Sequence, residues 1–407
     1  MPNHSTPPRI AVATVLVAAT LGLSGCTNPF AGEAKPAAQV DTQASSPAVV
    51  GDLGETRLTV AADADPRAWP ADQPIVVNAI TGTLNEVTVT SAGGDETVAG
   101  AISDDQRHWR SSGALLPGTK YKVRATMTGS AGTNPVTRTI SISTRDSAAQ
   151  FHALISPRDG ATVGVGMPIL VTFTAPVEQS HRADVQDTLS VRASEDVKGA
   201  WNWVSDTKVQ YRTKKYWPAR TTVSVTADLA GVRAGEDVWG DQDKQVDFRI
   251  GESVVSVVDV TGHQMTVTID GEVARTIPVT TGKDGFRTRG GTRVISEKLE
   301  QIRMDAASTG IRPDDPEYYN LDVRYAMRIS NSGEFIHAAP WSVSSQGVAN
   351  VSHGCVGMST ANAQWLFARS RVGDVVTIVH SKRKLEPGNG LTQWNVSWAD
   401  WQAGSSS

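Results

Sequence analysis

The chain has 407 residues, a formal net charge of −4 and a hydrophobic fraction of 39%. This length allows two to four domains, and this apolar content can supply their cores. Because the sequence has no long run of Lys and Arg, nucleic acid is not expected as a partner. The short basic run at residues 382–384 is typical of a solvated turn.

The N-terminal segment has the pattern of an export signal. Arg9 precedes an apolar run at residues 10–23, which is too short for a comfortable membrane span and suits the hydrophobic region of a signal peptide. The letters LSGC, which end at Cys26, resemble a bacterial lipobox. This resemblance implies a signal peptide at 1–25, a lipid on the Cys26 sulfur, and anchoring to the outer face of the cell membrane, in the periplasm or cell wall. The alternative is a signal peptide without lipid and a chance cysteine.

Two blocks of short alternating segments follow a stretch rich in Ala, Pro, Ser and Gly. Residues 26–55 lack a periodic apolar pattern, which favours a lipidated flexible tether. Residues 56–148 and 149–250 alternate apolar and polar positions between Gly, Pro, Asp and Asn, which predicts strands. HWRSSGALLPGTKYKVRAT in the first block parallels VQYRTKKYWPARTTVSVTA in the second. We therefore predict two tandem immunoglobulin-like β-sandwiches.

The third block, residues 251–381, combines two predicted strand pairs with a long polar connection. Asp-Gly at 270–271 favours a two-residue hairpin, and Asn-Ser-Gly at 331–333 favours a second turn. Residues 305–320 lie between the pairs and are long for a connector, which favours a lid or substrate loop.

A helix and a tryptophan-rich tail are predicted beyond these strands. TANAQWLFARS predicts a short helix with Ser359 or Thr360 as its N-cap, followed by a strand. The tail, residues 382–407, carries three tryptophans at helical spacing, which we expect to pack on the third block. These are Trp394, Trp398 and Trp401.

The sequence around Cys355 is the strongest functional signal. If Cys26 carries lipid, Cys355 is the only thiol of the mature chain, and a lone exported thiol invites oxidation and needs a reason. His353, two residues before it, or His337, 18 residues upstream, could activate it. The field of the following helix favours a thiolate, and backbone N–H groups at Gly354 and Cys355 can form an oxyanion hole.

Two other interpretations of these residues stay open. His337, His353 and Cys355 could bind zinc, although the sequence offers no second Cys and no compact pair of histidines beside them. The two histidines could also be structural. We expect neither a metal nor another cofactor.

The pattern around Cys355 resembles the active-site signature of the L,D-transpeptidases, which share a YkuD-like catalytic domain. This pattern consists of His337, a gap of 14 residues, and Ser352-His353-Gly354-Cys355. TIPVTTGKDGFRTRGGTRVI is similar to an early strand-loop-strand of that family. The lipobox, the two sandwiches and the tail resemble a lipoprotein subgroup. This resemblance implies a mostly β fold, in which two tandem immunoglobulin-like β-sandwiches precede a β-rich catalytic domain at 251–381 with a short helix after the nucleophile.

The resemblance also implies a reaction on peptidoglycan stem peptides. Cys355 attacks the carbonyl of meso-diaminopimelate, the third residue of a tetrapeptide donor, D-alanine leaves and a thioester forms. The side-chain amine of a diaminopimelate on a second stem, the acceptor, then resolves the thioester and links two third-position residues. The resemblance further implies that carbapenem β-lactams acylate Cys355.

Residue roles follow from the same resemblance. His337 is the general base, oriented by the backbone carbonyl of Ala338. His353 and Gly354 complete the catalytic set with Cys355, Gly354 as an oxyanion donor. The positions implied to bind substrate or line the lid are Met304, Tyr319, Trp341, Ser352 and Gly357.

Gly357 is a departure, because the family usually has Asn or Arg at this position. The lost side chain bears on acceptor preference and rate more than on the reaction class. Three alternatives to cross-linking stay open. They are hydrolysis of the stem by an L,D-carboxypeptidase, attachment of another amine partner, and a non-catalytic wall-binding lipoprotein.

Overall fold

The computed structural model describes residues 49–53, 56–61, 65–94, 96–113, 115–129, 134–147 and 149–404. The predicted signal peptide, the lipid site at Cys26 and most of the predicted tether lie outside these residues. In the part of the chain that is described, no helix is both long and apolar enough to cross a membrane.

The described chain is mostly β, as predicted. Its strands are β1 (Val49–Leu53), β2 (Thr56–Ala61), β3 (Val76–Ala79), β4 (Thr83–Ser91), β5 (Gly100–Ile102), β6 (His108–Ser111), β7 (Lys120–Thr128), β8 (Val136–Ser143), β9 (Ala149–Phe151), β10 (Ala153–Ser156), β11 (Thr162–Val163), β12 (Ile169–Phe173), β13 (Leu189–Ala193), β14 (Gly199–Ser205), β15 (Lys208–Thr213), β16 (Thr222–Ala227), β17 (Arg233–Gly235), β18 (Val238–Gly240), β19 (Lys244–Ile250), β20 (Val254–Asp259), β21 (Gln264–Ile269), β22 (Glu272–Pro278), β23 (Arg289–Val294), β24 (Glu297–Asp305), β25 (Asn320–Arg328), β26 (Phe335–Ala338), β27 (Val356–Met358), β28 (Val375–Val379) and β29 (Arg383–Lys384). The helices are α1 (Arg182–Asp187), α2 (Thr360–Arg369) and α3 (Trp398–Ala403), and 3₁₀ turns lie at Gln179–His181, Ala306–Thr309, Pro340–Ser345 and Gln393–Asn395.

The first sandwich packs a five-stranded sheet, in the order β1-β2-β3-β6-β5, against the three-stranded sheet β4-β7-β8. Alternation in β7 directs Tyr121 and Val123 into the core, where both are almost fully buried. Strand β1 pairs with β2, so the first sheet begins at Val49. The prediction of a flexible tether up to residue 55 is therefore wrong over its last residues.

The second sandwich has two four-stranded sheets, β10-β12-β15-β14 and β11-β19-β16-β13, and a small sheet β17-β18-β9 at one side. Phe151, Ile169 and Val225 are fully buried in its core. The same cluster of apolar side chains includes Val294 and Val375 of the third block, so the second sandwich and the catalytic domain share a continuous apolar contact.

The catalytic domain holds a six-stranded sheet, β22-β21-β20-β28-β23-β29, and a four-stranded sheet, β24-β25-β26-β27. Asp270 and Gly271 both have positive φ in the turn between β21 and β22, as the predicted hairpin requires. Helix α2 packs on β25 and β26. The Ser359 hydroxyl accepts a hydrogen bond from the Asn362 N–H at 3.3 Å, which confirms the predicted N-cap.

The tail contacts both the catalytic domain and the second sandwich. Strand β29, within the exposed basic run at 382–384, pairs with β23, and the Asn395 carboxamide oxygen accepts a hydrogen bond from the Thr292 N–H at 2.8 Å. Beyond Asn395, the Trp401 indole N–H donates to the Ala200 carbonyl at 2.9 Å. The Trp394 indole N–H likewise donates to the Gly166 carbonyl of the second sandwich at 2.9 Å. The prediction that the tail tryptophans pack on the catalytic domain is therefore wrong, although β29 and Asn395 do contact that domain.

The buried guanidinium of Arg212 explains why the tail packs on the second sandwich. The Arg212 side chain is 3% exposed and faces the rings of the three tail tryptophans at 4.9 to 5.3 Å. Its guanidinium also donates to the Val396 carbonyl at 2.8 Å. Arg212 lies almost 200 residues before these partners, so sequence spacing gave no sign of the contact. Cation–π contacts and carbonyl acceptors compensate for removing Arg212 from water.

Candidate active site

Strand register brings the two halves of the Cys–His motif together. Strand β26 lies parallel to β27, and His337 pairs with Gly357. Cys355 directly precedes β27 and stands two residues before Gly357. Because side chains two positions apart in an extended segment share a face, His337 and Cys355 face the same side of this strand pair.

The two residues line one cavity of about 320 Å³. Eight of the nine catalytic and substrate-binding positions predicted from the sequence line it; Gly354 does not. Those eight are Met304, Tyr319, His337, Trp341, Ser352, His353, Cys355 and Gly357. Sequence reasoning missed six other lining residues, which are Thr280, Leu321, Val323, Ala339, Ser342 and Val351. Of these, Leu321 and Val323 could have been found from the alternation of β25.

His337 is held in one tautomer by the backbone. Its Nδ1 lies 2.8 Å from the Ala338 carbonyl oxygen, as the sequence resemblance implied. A carbonyl can only accept, so Nδ1 carries the hydrogen and Nε2 keeps its lone pair. Burial lowers the pKa of His337, although the hydrogen bond to Ala338 partly opposes this. The ring is therefore neutral at pH 7 and can accept a proton at Nε2.

The Cys355 thiol is protonated in this environment. Burial raises its pKa to about 12, an N–H bond from Phe335 opposes this, and the charge of Glu334 adds to it. Strand β27 separates Cys355 from α2, which begins only at Thr360. The prediction that the helix field favours a thiolate is therefore wrong: the field acts within the first turn, and burial outweighs it.

The nucleophile loop, residues 350–355, is braced by Ser352. Its hydroxyl accepts from the Gly354 N–H at 3.1 Å and donates to the Cys355 carbonyl at 2.7 Å. Gly354 has φ +122°, a conformation that favours glycine. Because its N–H already binds Ser352, Gly354 does not offer the oxyanion donor that the sequence resemblance implied. Its visible role is to let the chain turn before Cys355.

A polar segment between β24 and β25, residues 306–319, reaches the cavity at Tyr319. This segment, for which the sequence predicts a lid or substrate loop, is called the lid below. Met304, just before it, and Tyr319, at its end, both line the cavity. Burial, and then the charge of Cys355, raise the pKa of Tyr319 to about 12. The Tyr319 phenol is therefore a neutral donor beside the thiol.

The lid is tied to the nucleophile loop through His353. The His353 Nε2 lies 2.7 Å from Oε2 of Glu317, and the Lys283 ammonium lies 2.5 Å from the same oxygen. The His353 ring also sits between Phe286 and Tyr319, with centroid distances of 4.7 and 5.0 Å. Glu317 was not found from the sequence, because only the fold brings the lid to the SHGC motif.

Gly357 allows two segments of backbone to approach closely. Its N–H and carbonyl exchange hydrogen bonds of 2.9 Å with Thr280. A Cβ atom at this position would lie 2.9 Å from the Ala339 Cβ and 3.1 Å from the Thr280 Cγ2. Glycine here is therefore matched to its neighbours, which leave little room for the usual Asn or Arg.

No cluster of three or more His, Cys, Asp and Glu side chains in the described ranges is arranged to hold a metal ion. This finding covers His337, His353 and Cys355, the three residues considered as zinc ligands from the sequence.

Two known domain families match the chain. Residues 67–233 match a bacterial Ig domain, across parts of both sandwiches, and residues 253–378 match the L,D-transpeptidase catalytic domain, YkuD. These matches define a protein with bacterial immunoglobulin-like sandwiches followed by a transpeptidase catalytic domain.

Relatives agree with this class along nearly the whole chain. L,D-transpeptidase 2 of Mycobacterium tuberculosis is 32% identical over 394 residues, covering 97% of this chain and 94% of the relative. L,D-transpeptidase 5 of the same species is 32% identical, covering 81% of this chain and 72% of that relative. The chain belongs to the L,D-transpeptidase family. A solved L,D-transpeptidase in complex with imipenem is 36% identical, with a TM-score of 0.49, and its match covers 56% of this chain and 98% of that one.

Proposed function

We propose that this chain is a peptidoglycan L,D-transpeptidase that uses Cys355 as its nucleophile and His337 as its general base. The observation that carries the proposal is the shared cavity, in which a buried thiol lies beside an imidazole whose Nδ1 is fixed on Ala338. This arrangement matches the nucleophile, base and orienting group of covalent acyl transfer. Family membership supports the same reaction class.

The proposed first half-reaction forms a thioester. The Cys355 sulfur bonds to the carbonyl carbon of the third stem residue, meso-diaminopimelate, while its proton moves to His337 Nε2. The bond from this carbonyl to D-alanine then breaks, and D-alanine leaves as an amine with the proton from His337. The Cys355 N–H is the proposed oxyanion donor, since the Gly354 N–H binds Ser352.

The second half-reaction transfers the acyl group to an amine. The side-chain amine of a second diaminopimelate attacks the thioester carbonyl and passes a proton to His337. The carbon–sulfur bond breaks, and the proton returns to Cys355 as the new amide forms. Atoms balance over both halves: one amide bond is exchanged for another and D-alanine is released.

The protonation states determine when the thiol loses its proton. Burial disfavours both a thiolate and an imidazolium, so the resting pair is neutral. Proton transfer is then coupled to attack on a bound carbonyl, where the oxyanion and its donor compensate for the separated charge.

We also propose that Cys26 carries a lipid that anchors the protein to the outer face of the membrane. The LSGC motif supports this. The two sandwiches would then hold the catalytic domain within reach of the wall, and the contact of the tail with Arg212 would keep the second sandwich docked on it. Deleting the first sandwich, while keeping the anchor and the second sandwich that shares its apolar cluster with the catalytic domain, should reduce cross-linking in cells more than the activity in solution. Equal loss in both assays would contradict the spacer role.

The deciding experiment incubates the purified protein with a disaccharide-tetrapeptide and identifies the products by mass spectrometry. A cross-linked dimer and free D-alanine are expected from the wild type. Neither is expected from Cys355→Ala, and His337→Gln should be slower by about 10²-fold or more. A trimmed tripeptide without dimer would instead indicate an L,D-carboxypeptidase, and intact substrate would favour a non-catalytic wall-binding protein.

Inhibitor binding gives a second test. A relative has been solved in complex with imipenem, and we propose that carbapenems acylate Cys355 in this chain. Intact-mass spectrometry should show one covalent adduct on the wild type and none on Cys355→Ala. An adduct on both variants would place the modified group elsewhere.

A further inference from the structure

One carboxylate oxygen of the lid binds two side chains on the body of the catalytic domain. Oε2 of Glu317, on the lid, lies 2.5 Å from the Lys283 ammonium and 2.7 Å from His353 Nε2. The three side chains are 38%, 33% and 23% exposed, respectively. The contact is therefore at the surface, where water and solutes can reach it.

Both donors also have contacts outside the lid. The Lys283 N–H donates to the Ser352 carbonyl at 2.9 Å, and the Phe286 N–H donates to the Lys283 carbonyl at 3.0 Å. The Phe286 ring packs on the His353 ring at 4.7 Å. These contacts do not involve Glu317, and they hold the Lys283 backbone and the His353 ring on the body of the domain.

The catalytic cavity has little charge of its own. Its lining includes no Lys, Arg, Asp or Glu, and its ionisable groups are His337, His353, Tyr319 and Cys355. The proposed tetrapeptide donor carries carboxylates, and a buried carboxylate without a partner is costly. His353 lines the catalytic cavity, and it shares the Glu317 oxygen with Lys283, which lines a different polar cavity. The Lys283 ammonium therefore lies behind His353, one carboxylate oxygen away from the lining of the catalytic cavity.

We propose that Lys283 and His353 form a binding site for a carboxylate of the stem peptide, and that Glu317 occupies this site while the lid is closed. The inference rests on the proposed function and deepens it. The arriving carboxylate replaces Glu317 on the same two donors, so Lys283 keeps an ionic partner throughout. Release of Glu317 frees the lid as the donor enters, which couples donor binding to lid opening.

A binding experiment tests this site without requiring catalysis. The full chain carrying Cys355→Ala is titrated with three synthetic tetrapeptides: the free acid, its C-terminal amide, and a form amidated on the diaminopimelate carboxylate. Each titration is repeated with Lys283→Met added. Lys382→Met is the matched control, because Lys382 is exposed and lines the same polar cavity as Lys283 without contacting Glu317 or His353 in any hydrogen bond described above.

Lys283→Met should weaken binding of the free acid by about tenfold, the effect of losing one charge-assisted hydrogen bond. Lys283→Met should not change the binding of one of the two amidated peptides. The group that is amidated in that peptide is the carboxylate that Lys283 binds. Glu317→Gln should strengthen free-acid binding by about two- to fivefold, whereas Asp314→Asn, on the same lid, should not change it.

The opposite results would overturn the site. Equal weakening of all three peptides by Lys283→Met would indicate a structural role for Lys283. If free-acid binding is unchanged by Lys283→Met, or if the free acid does not bind at all, Lys283 does not bind a carboxylate of the stem peptide. The product assay with intact Cys355 reports on the transpeptidase reaction separately, so failure of the proposed function would not be confused with failure of this site.

Discussion

Adding a methyl group at Gly357 should destabilise the catalytic domain. In Gly357→Ala the new Cβ would lie 2.9 Å from the Ala339 Cβ, closer than non-bonded carbons pack, and 3.1 Å from the Thr280 Cγ2. The paired hydrogen bonds with Thr280 resist separation of the two segments. Overpacking of this kind costs about 1–3 kcal/mol, and we expect the free energy of unfolding to fall by that amount.

A double-mutant cycle assigns the cost to this contact. Ala339→Gly removes the Cβ that the new methyl group meets, so Gly357→Ala should cost about 1 kcal/mol less in that background. Urea unfolding provides the free energies, and Gly113→Ala is the control, since a Cβ there would meet its nearest atom at 3.5 Å. If Gly357→Ala is as stable as wild type, or if Ala339→Gly does not reduce its cost, close packing is not the reason for glycine at 357.

Three further outcomes test other parts of the structure. Burial raises the pKa of Asp374 from 3.8 to about 7, so its protonated form is favoured in the fold, and up to ~4 kcal/mol of stability is lost as the pH rises from about 4 to 7. Asp374→Asn should flatten that slope in urea unfolding across this range; an unchanged slope would contradict it. Arg212→Met should lower stability by about 2–4 kcal/mol and speed proteolysis of the tail after Asn395, and a tail as resistant as wild type would refute its role. Iodoacetamide at pH 8 should label Cys355 about a hundredfold to a thousandfold more slowly in the folded protein than in urea, using a Cys26→Ser background; equal rates would exclude the raised pKa.

The fold was accessible from the sequence where patterns are local. Alternating segments predicted the sandwiches, the Asp270-Gly271 pair predicted a hairpin, and Ser359 predicted the start of α2. Each of these features depends on residues within a few positions of one another. The docking of the tail on Arg212 depends on residues almost 200 positions apart, and no local pattern reports such a pairing.

The residues of the candidate site could likewise be predicted where a local motif carries them, and could not where only packing brings them together. The SHGC motif and His337 were found because the chemistry needs a thiol, a base and a permissive glycine. The protonation of Cys355 was not found, since burial depends on packing that the sequence does not show. Glu317 was missed because it lies in a polar segment with several acids, and only strand pairing between β24 and β25 selects it as the partner of His353.

Burial also offers a reason why Cys355 could persist as a free thiol if the chain is exported, as we propose. Oxidants and alkylating agents react with the thiolate, and a Cys355 pKa of about 12 leaves very little thiolate at neutral pH. The proposed reaction does not need a standing thiolate, because His337 Nε2 would take the proton when a substrate carbonyl is in place. The packing around Cys355 thus slows oxidation and alkylation of the thiol. The neutral pair of Cys355 and His337 would react only when a substrate carbonyl is bound beside it.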